Sequence, residues 1–216
     1  LSMYFIGVAF CAFANMATSA ASRFFSFFGI EYNVDFGETP KGFFGFLLCL
    51  FSTVITPALI EEFAFRGIVL GSLKKYGEGF AVLVSSILFG LMHGNFEQIP
   101  FAFLVGLVLG FITVKTDSIL IACAVHGTNN LVSVIFDFIP SGISQAAQNI
   151  MYLIFLLICL TLGILALALS EKSNEMFKLK KDSCESKLKE RFKWFFTSPA
   201  IIIFIVICIF ESLAYF

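Results

Sequence analysis

Charged residues are scarce in this sequence. Only 13% of its 216 residues are Asp, Glu, Lys or Arg, and the mean hydropathy is +0.95, whereas soluble domains carry about a quarter charged residues. This composition excludes a soluble globule, and it also excludes a disordered chain, which needs low hydrophobicity and high net charge. The net charge of −1 gives no basic surface for phosphates, so nucleic acid is not expected as a partner.

The chain also lacks the usual patterns of disulfide and metal sites. It has six cysteines but no CxxC pair, and five of the six lie in apolar stretches, where a thiol behaves as a small hydrophobic group. Only two histidines are present, and HExxH is absent. We therefore expect no disulfide framework, no metal and no cofactor.

What the chain has instead is long runs without charge, and about 20 mostly apolar residues suffice to span the ~30 Å hydrocarbon core as a helix. The runs are apolar on all sides, unlike the alternating strands of a membrane barrel. We predict an all-α polytopic membrane protein with about seven transmembrane helices, forming a single integral-membrane domain over residues 1–216. The charge-free stretches are 1–22, 42–60, 79–96, 98–114, 118–136, 138–170 and 194–210.

The positive charges predict the orientation of these helices. Alternate loops hold eleven Lys and Arg residues, eight of them in the segment 171–193, whereas the opposite loops hold only Arg23 and Lys41. Because Lys and Arg mark the cytoplasmic side, we place the N-terminus inside and interpret 171–193 as a charged cytoplasmic loop. The first stretch has no basic leader or A-x-A exit and is predicted to be a helix, not a signal peptide. Its start at Leu1 suggests a trimmed N-terminus.

Ionisable residues inside the apolar stretches are the strongest functional signal. A charge at the centre of a membrane helix costs on the order of 2.5–3.5 kcal/mol, so such residues face the bundle interior and find partners. Glu61, Glu62 and Arg66 interrupt the end of the second stretch, His93 lies in the third and His126 in the fifth. We therefore predict an intramembrane active site within a core of four helices.

The two glutamates are predicted to differ in environment. Glu62 and Arg66 are four residues apart and share a helix face as an ion pair, while Glu61 points about 100° away. A carboxylate without a cation in an apolar site readily takes up a proton, as a general base does. Pro57 leaves the Thr53 carbonyl without its helical donor and is expected to kink the helix. Alternatively, Glu62 and Arg66 are a buried packing pair.

His126 and Asn130 also share a helix face, and together they offer two donors suited to an oxyanion. Either His93 or His126 alone could be a satisfied core residue, but two histidines beside a glutamate pair favour a site. From the rise of 1.5 Å per residue, Glu61, His93 and His126 lie at similar depths. We expect a water-filled pocket that opens to the cytoplasm.

These residues resemble the CAAX prenyl protease and bacteriocin-processing family of intramembrane glutamic proteases, also called the CPBP or Abi family. The family's first motif, two glutamates, three residues and arginine, matches residues 61–66. Its second motif, Phe-xxx-His, matches Phe89 and His93, and its third, His-xxx-Asn, matches His126 and Asn130. The three motifs occur in the family's order, and the resemblance covers the family core, residues 42–138.

The resemblance implies a metal-independent, glutamate-type endopeptidase. Glu61, with Glu62 beside it, and His93 would activate water, while His126 and Asn130 stabilise the oxyanion and Arg66 fixes the glutamates. The expected partners are the bilayer and a peptide or protein substrate at the membrane, which is hydrolysed near its end. Prenylated CAAX tails, bacteriocin or pheromone leaders and membrane-protein tails all suit this scheme, and the oligomeric state is left open.

Two other interpretations remain at this point. In a zinc protease, His93, His126 and one glutamate would hold a metal that activates the water. In a non-enzymatic protein, the same groups would serve a membrane immunity or scaffolding factor, or a proton relay in a carrier. The bias toward Phe, Ile and Lys is typical of an AT-rich bacterial genome, which indicates a bacterial cytoplasmic membrane.

Overall fold

The computed structural model describes residues 2–28, 40–96, 98–139, 142–169, 178–180, 184 and 186–213, without the side chain of residue 25. All the regular elements in these residues are helices, and the chain is a polytopic membrane protein. The helices are α1 (Ser2–Phe27), α2 (Gly42–Tyr76), α3 (Glu78–Met92), α4 (Gln98–Thr116), α5 (Ile119–Asp137), α6 (Gln145–Ala168), α7 (Leu188–Phe196) and α8 (Pro199–Leu213).

Five of these helices, α1, α2, α4, α5 and α6, are long and apolar enough to cross a membrane, and the bent pair α7 and α8 could form a sixth span. The third predicted stretch gives the shorter helix α3 of 15 residues. The last predicted stretch is broken by a bend of 69° before Pro199, a residue that suits the first turn of a helix and not its interior. In the predicted loop 171–193, residues 171–177, 181–183 and 185 lie outside the described residues, and residues 188–193 form the first part of α7.

Helix α2 extends further than its charge-free stretch predicted. It has 35 residues and is therefore about 50 Å long at 1.5 Å per residue, so that Glu61 lies near its middle and not at its end. Its hydrogen bonding switches twice to the wider π-helical register, at Leu50–Ile55 and at Phe63–Leu70. Such segments are rare and occur frequently at functional sites.

Helix α3 ends where the sequence predicted an uninterrupted span. His93 is its C-cap residue, and Gly94 adopts a positive φ of 62°, a conformation that costs glycine little. His93 therefore lies at a helix terminus, and the chain turns directly into α4.

Two apolar clusters fill the bundle. The first joins α1, α4, α5 and α6 around Cys11, Leu109 and Val125. The second joins α2, α3 and α4 around Leu70 and Val84, and side chains of α7 and α8 pack against it. All six cysteines are described, and all are free thiols, as the absence of a pairing pattern predicted.

Lysine residues gather at one end of the bundle. Lys74, at the end of α2, donates to Asp117 in the turn between α4 and α5 at 2.7 Å. This hydrogen bond, together with the positive charge of Lys74, lowers the pKa of the exposed Asp117 carboxyl. The backbone N–H of Lys180 donates to Glu78 at the start of α3. We call this end, defined by Lys74, Lys115 and Lys180, the lysine end.

Small residues let α3 and α4 approach closely. A Cβ added at Gly106 of α4 would lie 3.1 Å from the Cα of Ser86 on α3, which is tighter than ordinary packing. The Gly106 carbonyl also accepts a hydrogen bond from Arg66 at 3.4 Å. Close approach of α4 is therefore needed both for packing and for holding the α2 arginine.

We expect Gly106→Ala to destabilise the protein by about 1–3 kcal/mol, because the new methyl group overpacks the contact between α3 and α4. Gly71→Ala is the matched control, since its Cβ would lie 3.9 Å from the Arg66 carbonyl oxygen, at an ordinary van der Waals distance. This control should be neutral or slightly stabilising. Unfolding of purified protein in detergent micelles measures both variants, and equal midpoints would contradict the packing argument.

Candidate active site

One cavity of about 920 Å³ lies within the core of four helices, α2, α3, α4 and α5. Four of the predicted site residues line it: Glu61 from α2, His93 from the end of α3, and His126 and Asn130 from α5. Polar side chains from the same helices line it too, among them Ser52, Thr53, Gln98, Asn129 and Ser133. The four predicted site residues, which are separated by up to 69 positions in the sequence, therefore meet at one cavity.

Glu62 does not line this cavity. Its carboxylate is fully buried, and its Oε1 atom accepts hydrogen bonds from Arg66 Nη1 at 2.9 Å and from His126 Nδ1 at 2.8 Å. The guanidinium of Arg66 also lies over the ring of Phe89, 4.2 Å from its centroid. Glu62 and Arg66 thus form the predicted ion pair, but the pair lies behind His126 and fixes its ring.

The hydrogen bonds of the two histidines determine which ring nitrogen faces the cavity. His93 Nδ1 lies 2.8 Å from the Phe89 carbonyl oxygen, which only accepts, so Nδ1 carries the hydrogen. His126 Nδ1 donates to the Glu62 carboxylate in the same way. In both histidines, Nε2 is therefore the ring nitrogen that is available to a ligand in the cavity.

The partners of the two histidines differ in charge. A neutral carbonyl oxygen, the partner of His93, suits a neutral imidazole whose Nε2 accepts a hydrogen bond. A carboxylate, the partner of His126, stabilises the imidazolium, whose Nε2 donates. The two rings are thus prepared for opposite tasks, acceptance at His93 and donation at His126.

Asn130 compensates for the proline in α2. Its Nδ2 donates to the Thr53 carbonyl at 2.9 Å. The α-helical partner of that carbonyl would be the N–H of residue 57, which is absent in Pro57. This bond uses one of the two hydrogens on Nδ2, so one is left for a ligand.

The turn that carries His93 is held by Asn95, a residue that our sequence analysis did not single out. Asn95 is buried, and its Nδ2 donates to the His93 carbonyl at 3.1 Å. Its Oδ1 accepts from the backbone N–H of Gln98 at 2.7 Å, at the first residue of α4. An Asn placed three residues before a Gln at a helix start is a capping signal, and it could have identified this residue.

A zinc site needs at least three ligands around one ion. Within the described part of the chain, no three His, Cys, Asp or Glu side chains converge closely enough to hold a metal ion. The carboxylate oxygen of Glu62 that accepts from His126 is already bonded to Arg66.

The cavity extends away from the lysine end. Its lining on and just before α2 runs from Pro40 to Glu61, and its lining on α5 runs from His126 to Asp137. Lys74 lies at the opposite end of α2 and pairs with Asp117, in the turn that leads into α5. The cavity lining and the lysine end therefore lie toward opposite ends of α2, and the predicted opening of the pocket to the cytoplasm stays a prediction. Depth along a helix fixes the height of a group but not the direction in which a cavity opens.

Comparison with known proteins agrees with the motifs. A profile described as type II CAAX prenyl endopeptidase, Rce1-like, matches residues 43–132. The chain is 30% identical over 120 residues to the membrane-embedded CAAX protease MroQ of Staphylococcus aureus (strain USA300), covering 51% of this chain and 48% of that protein. It is also 30% identical over 95 residues to the putative membrane peptidase YdiL of Bacillus subtilis (strain 168), covering 44% and 38%.

The chain thus spans about half the length, or less, of these curated relatives. No solved structure matches it significantly. The matched residues 43–132 contain Glu61, Arg66, His93, His126 and Asn130 and lie almost wholly within α2 to α5. Residues 43–132 are therefore similar to the Rce1-like CAAX prenyl endopeptidases, in agreement with the resemblance that the three motifs carry.

Proposed function

We propose that this chain is an intramembrane endopeptidase, which hydrolyses a peptide bond near the end of a membrane-associated peptide or protein. The observation that carries the proposal is the meeting of Glu61, His93, His126 and Asn130 at one cavity. This set offers groups that accept protons and groups that donate hydrogen bonds, and hydrolysis of an amide needs both.

Water is activated on the side of Glu61 and His93. Glu61 has no cation beside it in its own helix, since Arg66 is paired with Glu62, so its carboxylate is the base that takes the proton of the attacking water. His93 Nε2 accepts the other hydrogen of that water and orients it. The new bond joins the water oxygen to the peptide carbonyl carbon, and Glu61 later passes its proton to the leaving amine.

The oxyanion is stabilised by His126 and Asn130. His126 as imidazolium and the second hydrogen of Asn130 Nδ2 both donate to the former carbonyl oxygen. In this state Glu61 is protonated, and the charges of the oxyanion, Glu62, Arg66 and His126 cancel, which suits a site of low dielectric constant. Donors of this kind, aimed at developing charge, are worth about 3–4 kcal/mol each.

Glu62 and Arg66 are positioning residues in this proposal. The Glu62 carboxylate accepts from His126 Nδ1 and so orients that ring, and Arg66 holds the same carboxylate oxygen in place. In this proposal Glu62 is not itself catalytic and acts through His126.

The lysine end is the cytoplasmic side in our proposal, following the excess of Lys and Arg in the loops there. The cavity then opens toward the outer face of the membrane, through the end at which Pro40, Gln98 and Asp137 lie. The substrates we propose are peptides whose scissile bond reaches the bilayer from that face.

We expect Glu61→Gln and His93→Ala to lower cleavage at least 100-fold, because each removes a group that activates the water. The probe is a fluorescent, quenched CAAX peptide, presented with and without a prenyl chain to protein in liposomes. Glu190→Gln, on the exposed side of α7, is the charge-matched control and should keep wild-type activity.

Normal cleavage by both variants would refute the catalytic assignment. Wild-type protein that cleaves neither form of the probe, and that leaves the peptide termini of its host membranes unchanged, would refute the proposed activity. Loss of cleavage in strong chelator, restored by zinc, would replace the glutamate mechanism by a metal-dependent one.

We expect either Glu62→Leu or Arg66→Met alone to destabilise the protein by about 3–5 kcal/mol, because each leaves a buried charge unpaired. The double variant Glu62→Leu, Arg66→Met removes both charges and should recover most of that stability without recovering cleavage. Unfolding in detergent and cleavage of the same probe measure the two effects. A double variant that cleaves normally would contradict the positioning role.

The orientation of the protein in the membrane is tested by adding one new cysteine at a time to a Cys184→Ser background. We expect Asp137→Cys to react with a membrane-impermeant maleimide in intact cells and Lys75→Cys to react only after permeabilisation. The background protein gives the baseline from the five remaining thiols. The reverse pattern would mean that the cavity opens to the cytoplasm and that the lysine count misassigns the orientation.

A further inference from the structure

Three asparagine side chains form a hydrogen-bonded chain that connects α1 to α2 through α5. Asn15 Nδ2 donates to Asn129 Oδ1 at 2.9 Å, Asn129 Nδ2 donates to Asn130 Oδ1 at 3.3 Å, and Asn130 Nδ2 donates to the Thr53 carbonyl at 2.9 Å. Asn129 and Asn130 line the active-site cavity, whereas Asn15 lines a neighbouring cavity of about 590 Å³. The chain thus begins outside the active site and ends in it.

We propose that Asn15 is a positioning residue that fixes the side-chain amide of Asn130 for catalysis. The inference rests on the proposed function, because it assigns Asn130 to the oxyanion. Asn15 lies in α1, outside residues 43–132 that match the family profile. The outermost helix in the sequence therefore takes part in organising the site.

The Thr53 carbonyl of α2 sets the direction of all the hydrogen bonds along the asparagine chain. The Thr53 carbonyl only accepts, so Asn130 must present nitrogen to it and oxygen to Asn129. Asn129 must then present its nitrogen to Asn130 and its oxygen to Asn15, which has to donate. The Thr53 carbonyl at one end of the asparagine chain therefore requires a hydrogen-bond donor at position 15, at the other end.

Helix α1 is held firmly enough for this task. The hydroxyl of Tyr4 shares a hydrogen bond of 2.8 Å with Thr128 of α5, and Tyr152 of α6 donates to the Ala12 carbonyl at 3.2 Å. Cys11, Ala12 and Ala14 are buried in the apolar cluster that α1 shares with α4, α5 and α6. Asn15 is therefore presented to Asn129 from a packed helix.

Replacing Asn15 by aspartate should reverse the polarity at one end of the chain. The carboxylate has the shape of the amide but only accepts, so it opposes the Asn129 oxygen. Rotation of the Asn129 amide relieves that contact but forces Asn130 to turn its oxygen toward the Thr53 carbonyl. In the first case two oxygens face each other at positions 15 and 129, and Asn129 loses the bond that fixes it against Asn130. In the second case they face each other at positions 130 and 53, and Asn130 is turned.

The test compares Asn15→Asp, Asn15→Ala and Asn149→Asp on the same quenched CAAX peptide, at equal amounts of folded protein. We expect Asn15→Asp to lower kcat at least tenfold with KM unchanged within twofold. Asn15→Ala removes more atoms but creates no opposed oxygens, so we expect it to lose only about threefold. A merely structural role would reverse this order, because truncation removes more packing than an isosteric change.

Asn149→Asp is the matched control. Asn149 lines the same neighbouring cavity as Asn15, where it accepts from Gln145 at 3.2 Å, and within the described residues it has no bond to the asparagine chain. It should keep wild-type kcat. This result would separate the effect of the added charge from the effect of breaking the hydrogen bonds of the asparagine chain. Asn15→Asp with kcat within twofold of wild type, or Asn15→Ala as impaired as Asn15→Asp, would overturn the inference.

Two further measurements do not depend on the folding of Asn15→Asp, and the second of them does not depend on activity either. If Asn15→Asp does not fold, a double variant of Asn15→Ala and Asn129→Ala should lose no more kcat than the worse single variant, and multiplied losses would overturn the proposal. In protein labelled with 15N-asparagine, the Asn130 side-chain signal, assigned by its loss in Asn130→Ala, should shift in Asn15→Ala and stay unchanged in Asn149→Asp. An unshifted signal would overturn the inference even if the probe is not cleaved at all.

Discussion

The rest of the site depends on the hydrogen bonds that the Glu62 carboxylate accepts. One oxygen of this fully buried group bonds both Arg66 of its own helix and His126 of α5. Removing such charges from water costs several kcal/mol for each ion, and only close pairing compensates for it. The cluster therefore ties α2 to α5 and, through the Gly106 carbonyl, to α4. It holds the His126 ring at the cavity wall.

The irregular backbone of α2 is part of the same construction. Two π-helical segments flank the residues that reach the site, and Pro57 lies between them. An unsatisfied carbonyl inside a membrane bundle is costly, and the side chain of Asn130 supplies the donor for Thr53. The local defect of one helix is thus repaired by a neighbouring helix, and the repair orients a group of the proposed oxyanion site.

The asparagine chain connects the site to α1, a helix outside the family core. Amides donate at one end and accept at the other, so a line of them transmits an orientation over several side chains. Here the line runs from α1 across α5 to α2. The helices outside the matched region are therefore more than a packing shell, because one of them bears on the geometry of the cavity. The proposed activity and the proposed sidedness both follow from where this cavity lies among the helices.

The sequence by itself determined the helical membrane fold, the ion pair of Glu62 and Arg66, and the resemblance to CAAX proteases, because scarce charges and fixed spacings are local signals. Residues such as Asn15 and Asn129 escaped it, since an isolated amide carries no periodic pattern. The length of α2, the early end of α3 at His93 and the position of the cavity along the helices were decided only by tertiary structure. These features depend on which side chains satisfy backbone groups and buried charges across neighbouring helices, and no single segment contains that information.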